Sequence, residues 1–219
     1  MAKNKQDSNS LFNYNNIEKM NKNFMYQNLQ KSKCFNSKFD LSKFDYVSFR
    51  GAHLKSCSFV ECSFKGTEFI GSNLKGSNFR KAIFENAIFE GARLNDANFE
   101  GAVFINTIFV GSTVEDAKNL DLDQEGIRLY DQMPELEISD TLQVAVESVM
   151  ANEFVKRSRT LDTKDKTLNT ISLMILLEAY DEATLIKGFE IMGDYIDRDF
   201  YALSYITKLI GKLVKEEKI

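Results

Sequence analysis

Every fifth residue from Phe24 to Val114 is large and apolar, with no slip in register. The series is Phe24, Leu29, Cys34, Phe39, Phe44, Phe49, Leu54, Phe59, Phe64, Phe69, Leu74, Phe79, Phe84, Phe89, Leu94, Phe99, Phe104, Phe109 and Val114. A helix repeats its faces every 3.6 residues and a strand every 2, so a period of five belongs to neither and marks a repeat architecture. Two positions before each large residue sits a small one, as at Ser37, Ala52, Cys57, Cys62, Ala82 and Ala97. Two positions after it sits a turn former, as at Gly51, Gly71, Asn86, Gly91 and Asp96. Gly, Asn and Asp tolerate the positive φ of tight turns. Each five-residue unit therefore supplies one bulky and one small inward group and one corner.

A period of twenty lies on top of the first. Leu54, Leu74 and Leu94 share one column; Phe44, Phe64, Phe84 and Phe104 share another, and Phe59, Phe79 and Phe99 a third. Four units thus make one coil, and like side chains stack. About five coils at strand spacing span on the order of 22 Å, around a dry interior with no room for a ligand. Lys22, Gln27 and Ser32 make poorer small positions and Cys34 replaces a Leu or Phe, so the first coil is expected to be irregular.

Units such as Gly91-Ala92-Arg93-Leu94-Asn95, Asp96-Ala97-Asn98-Phe99-Glu100 and Gly101-Ala102-Val103-Phe104-Ile105 resemble those of pentapeptide-repeat proteins. The resemblance covers residues 22–118. It implies a right-handed quadrilateral β-helix; the periodicity alone gives the four sides.

Beyond Leu120 a helical period replaces the period of five. It predicts a helix over Asp123–Met133, ended by Pro134. A second helix, capped by Ser139 or Asp140, carries Leu142, Val146, Val149 and Phe154. Residues 158–166 read as a loop. A buried helix follows over Thr167–Tyr180, then one starting at Asp181 and Glu182, and a last one from about Arg198. The expected organisation is a polar tail or cap over residues 1–20, with a short helix or cap near Leu11–Met20. A β-solenoid over 21–118 and an α-helical domain over 119–219 follow.

Outward positions of the solenoid should be polar. Ile83, Ile88, Val103, Ile105, Ile108 and Val110 are not, and the spacing of twenty brings them together on two adjoining faces. Such a patch is seldom left bare. The helical domain covers it, or it is a homodimer seam or a site for a protein partner.

Net charge is −4. Residues 22–118 carry thirteen basic and ten acidic residues, with the basic ones crowded before Lys81; residues 119–219 carry twelve basic and twenty acidic. Lys22, Lys31, Lys33, Lys38, Lys43, Arg50 and Lys55 raise the possibility of nucleic-acid binding, which the acidic whole-chain pI disfavours. The family resemblance also implies a second partner class. Some relatives mimic duplex DNA and bind DNA gyrase or topoisomerase IV, protecting against quinolones. That mimicry needs a strongly negative rod. This solenoid is net positive, and its repeat lacks the interrupting loops of those relatives.

No phosphate loop, metal-ligand spacing or Ser/His/Asp set is legible. His53 is the single histidine and takes an outward slot. Asp194, Asp197 and Asp199 cluster at a helix boundary, where carboxylates usually cap. Gly188 and Gly193 make no phosphate motif. No catalytic, cofactor or metal role is therefore expected. The three cysteines fit inward slots as reduced thiols, although a Cys57–Cys62 bond across one corner is not excluded. Without a signal peptide or an apolar stretch of membrane-spanning length, a cytoplasmic location is expected.

Overall fold

The computed structural model describes residues 12–219. The chain divides into two compact units, one ending at Leu129 and one running Tyr130–Ile219.

The first unit is a β-solenoid. Its rungs are parallel pairs between residues twenty apart, as along Asn13↔Lys33, Lys33↔His53, His53↔Asn73, Asn73↔Arg93 and Arg93↔Thr113. Where pairing is longest it forms strands β1 (Ser63–Lys65), β2 (Ile83–Glu85), β3 (Ile88–Glu90), β4 (Val103–Ile105), β5 (Thr107–Val110) and β6 (Ile127–Tyr130). Strands β1-β2-β4 make one sheet and β3-β5-β6 another. Within each rung the large residue donates its N–H to the next turn, as Phe44 to the Ser63 carbonyl at 2.9 Å. From Asn16 to Gly111 the residue two places after the large one takes positive φ, at glycines and at Asn86 (52°) and Asp96 (60°) alike.

The core is a set of stacked rings. Phe44, Phe64, Phe84 and Phe104 follow one another at centroid spacings of 5.5, 5.0 and 5.1 Å, with planes within 10° of parallel. Phe59, Phe79 and Phe99 repeat at 5.2 Å. Leu54, Leu74 and Leu94 are fully buried beside them. Phenylalanines of neighbouring columns meet edge to face, as Phe59 and Phe64 do at 69°, which suits the charge distribution of the rings.

Three sequence expectations differ from the structure. Residues 12–20 do not form a helix or separate cap; they already belong to the solenoid, through Asn13↔Lys33 and Glu18↔Lys38. Tyr14 takes the large slot, and Lys19, in the next one, sets its Nζ 4.7 Å over the Tyr14 ring, which compensates for a cation in an inward place. Residues 1–11 of that expected tail lie outside the described residues. Pairing also continues regularly through Asn23↔Lys43 and Asn28↔Ser48, where irregularity was expected. The expected helix over Asp123–Met133 is instead a turn leading into β6. Gly126 there gives its carbonyl to the Thr107 N–H at 2.8 Å, so sheet pairing takes the backbone groups a helix would need.

The second unit contains α1 (Asp140–Met150), α2 (Glu153–Ser158), α3 (Thr170–Ala179), α4 (Glu182–Met192) and α5 (Leu203–Lys215). Side-chain caps set the starts: Ser139 Oγ accepts from Leu142 N, Asn169 Oδ1 from Ser172 N, and Asp181 Oδ1 from Thr184 N. Asn152 caps a new helix, which separates Phe154 from the stripe of α1. Leu142, Val146, Leu176, Leu185, Phe189, Ile206 and Ile210 form its core. None of the described helices is long and apolar enough to cross a membrane.

Candidate interaction surface

With its interior filled, the solenoid can act only through its outward side chains. Each rung sets one such residue just before the large inward one and another just after it. Stacked rungs turn these positions into straight ladders, about 4.8 Å per step.

Charged ladders largely neutralise themselves. Lys38 Nζ lies 2.6 Å from Glu18, Lys65 Nζ 2.5 Å from Glu85, and Arg80 Nε 3.0 Å from Glu100, each pair one turn apart. The hydrogen bond to Glu85 holds the Lys65 amine above its ordinary pKa. Asparagines also stack, Asn106 Nδ2 donating to Asn86 Oδ1 at 2.8 Å. These pairs are exposed, so each adds little to stability, but together they fix a surface pattern.

Such geometry is what a five-residue repeat predicts, and residues 32–109 match the family model described as a pentapeptide repeat region. Residues 32–109 are a pentapeptide repeat region. Solved structures of pentapeptide repeat proteins are similar to this chain. HetL from Nostoc sp. strain PCC 7120, involved in heterocyst differentiation regulation, is 18% identical, with a TM-score of 0.32 over 46% of this chain and 45% of HetL. This chain thus spans under half of HetL. A pentapeptide repeat protein from the Arabidopsis thaliana thylakoid lumen is 17% identical, with a TM-score of 0.37 over 71% of this chain and 89% of that one. QnrB1, a plasmid-mediated fluoroquinolone resistance protein, is 14% identical, with a TM-score of 0.26 over 53% of this chain and 83% of that one. A comparison with curated proteins finds no match.

The solenoid does not leave the six outward apolar residues named in the sequence equally accessible. Ile83, Val103 and Ile105 are 48%, 47% and 49% exposed, whereas Ile88, Ile108 and Val110 are 5%, 1% and 2% exposed. The exposed three stand on β2 and β4, with Ile83 opposite Val103 and Glu85 opposite Ile105. The buried three stand on β3 and β5, with Ile88 opposite Ile108. Sequence reasoning missed that this second side is shielded well beyond them. Ser48, Glu68 and Ile70 are buried as well, and Ser48 and Glu68 share the column of Ile88 and Ile108. The spacing of twenty could have joined these residues, but the polar side chains of Ser48 and Glu68 hid the continuity.

The small inward slots show a further regularity. Their hydroxyl or thiol donates to the carbonyl of a large residue twenty-three positions earlier: Thr67 to Phe44 at 2.8 Å, Ser77 to Leu54 at 2.5 Å, Cys62 to Phe39 at 3.1 Å, and Cys57 to Cys34. All three cysteines are buried free thiols. Burial pushes Cys34 up to about 11 and Cys57 and Cys62 up to about 12.

Asp199 binds Arg157 Nε at 2.8 Å, and Asp194 lies in the short 3-10 turn Gly193–Tyr195. His53 is exposed on its ladder. Among the described residues, no group of three or more His, Cys, Asp or Glu side chains is placed to hold a metal ion.

Proposed function

We propose that this chain is a non-catalytic scaffold that binds a protein, either a partner or a second copy of itself, through the ladder Ile83, Val103 and Ile105. The observation that carries the reading is the register. Three half-exposed branched side chains stack on two adjacent rungs, on a surface whose other ladders are mostly polar or ion-paired. A rigid backbone presents them already ordered, so little conformational freedom is lost on binding. The charged groups next to them, Lys65 and Glu85, form a polar rim around an apolar centre, the arrangement that concentrates binding energy in a few residues. The reading includes a right-handed four-sided helix of about five coils at ~4.8 Å each, working in the cytoplasm.

Topoisomerase binding by DNA mimicry is the weaker reading. Over residues 22–118 the basic residues outnumber the acidic, and Glu18, Glu85 and Glu100 are each neutralised by a cation one turn away. A duplex mimic needs uncompensated negative charge along its length.

The test is the double variant Ile83→Lys/Val103→Lys, both at exposed sites. Sedimentation velocity of the full chain reads self-association, and affinity capture compared between wild type and variant reads a foreign partner. The reading expects one of the two to be lost with the thermal unfolding curve unchanged. It fails if the variant folds and both stay as in wild type.

A further inference from the structure

The cations of the solenoid are crowded in sequence, but turn by turn they separate onto different sides. Lys38, Lys65, Arg80 and Lys81 each meet a carboxylate one turn away. One side is different. Its ladder of central positions reads Asn13, Lys33, His53, Asn73, Arg93, Thr113, paired in that order. The ladder two residues further on reads Asn15, Phe35, Lys55, Lys75, Asn95, Glu115. Lys33, Lys55, Lys75 and Arg93 therefore place one cation on each of four successive rungs, with His53 among them and no carboxylate in either ladder before Glu115. All five side chains are exposed, and none of the four cations is ion-paired among the described residues.

We propose that this side docks an acidic α-helix of a partner protein, lying along the solenoid axis with one carboxylate per turn against each rung. The match is one of pitch and charge. Rungs repeat every ~4.8 Å and helix turns every ~5.4 Å. The mismatch grows to only about 2 Å over three steps, within the reach of Lys and Arg side chains. The surface is a flat sheet of short extended segments, so a straight rod can lie on it. A nucleic-acid strand fits less well. Phosphates along a duplex strand come every ~3.4 Å and wind away from a flat face. Single strands are held largely by stacking on aromatic groups, and these two ladders offer only the neighbouring rings of Phe35 and His53, 6.3 Å apart. The whole chain also carries net charge −4, which opposes a polyphosphate but less so a short acidic segment.

The probe is a fluorescein-labelled, Ala-rich helical peptide with one Glu per turn, titrated with the full chain and followed by fluorescence anisotropy. Binding is expected at low salt and lost near 1 M salt, where screening acts within ~3 Å. Lys55→Glu/Lys75→Glu should weaken it by at least ~10-fold, and the milder Lys55→Gln/Lys75→Gln by less. The reference variant Lys38→Glu/Lys81→Glu, on another side, should leave binding as in wild type. An unchanged circular dichroism spectrum secures each comparison. Three results would overturn the proposal: no binding of the peptide, equal loss in the reference variant, or tighter binding of oligodeoxythymidylate than of the peptide.

Discussion

Gly126 lies so close against the carbonyl oxygen of Phe104 that a Cβ at Gly126 would overlap it. Its φ of 95° is a conformation other residues adopt only with strain. This contact lays the chain across the last phenylalanine of its stack and leads it into β6. Gly126→Ala should therefore cost about 2 kcal/mol or more, whereas glycine replacement at an unstrained site stabilises by about 0.4–1 kcal/mol. Gly91, with open space around its Cβ position, is a comparison in which positive φ acts alone. Urea unfolding of both variants separates collision from strain.

Phe64 stands between Phe44 and Phe84 and is fully buried. Phe64→Ala removes a ring from the middle of a rigid stack that cannot collapse around the gap. A loss of about 3–5 kcal/mol is expected in denaturant titration, with a smaller loss for Phe64→Leu.

The thiols make stability depend on pH at the alkaline end. An unfolded thiol ionises near ~8.5. The folded ones hold their protons to about 11 at Cys34 and about 12 at Cys57 and Cys62, because burial disfavours the thiolate. The folded pKa values are raised, so their contribution is fully present below about pH 8 and is lost as pH rises toward 12. Replacing Cys57 and Cys62 by Ser, the residue that already donates the same bond at Ser77, should flatten most of that decline. Iodoacetamide at pH 8 should label the native protein slowly and the unfolded protein fully.

Asn169 is buried and its side chain caps α3 through Ser172 N at 3.0 Å. Asn169→Ala should cost about 1–2 kcal/mol in the helical unit. Asn169→Asp, which keeps the acceptor, should cost less.

The inward residues of the solenoid were legible because the period of five is unbroken from Phe24 to Val114 and each large residue falls in one kind of slot. The start was not, because Lys19 fills an inward place that reads as polar; only its position over Tyr14 explains it. Near the other end, Ile127, Tyr130 and Met133 mimic a helical stripe, while the pairing of Gly126 with Thr107 is a long-range fact no local pattern carries. The apolar patch was legible as residues but not as surface. Nothing about Ile88 or Ile108 in sequence distinguishes them from Ile83 and Val103, yet the first pair is buried and the second exposed. The basic side was hidden for a related reason. Counting charges along the chain pools all sides, so Lys38 joined Lys33, and Lys75 and Arg93 were left out.

The most direct measurement is photocrosslinking in cells with a photoreactive residue in place of Val103, and separately in place of Asn98 on another side. A discrete protein adduct from position 103 and none from position 98 is the predicted result, its mass telling a partner from a second copy. No adduct at 103, or the same adducts from both positions, would contradict the scaffold reading of the Ile83, Val103 and Ile105 ladder.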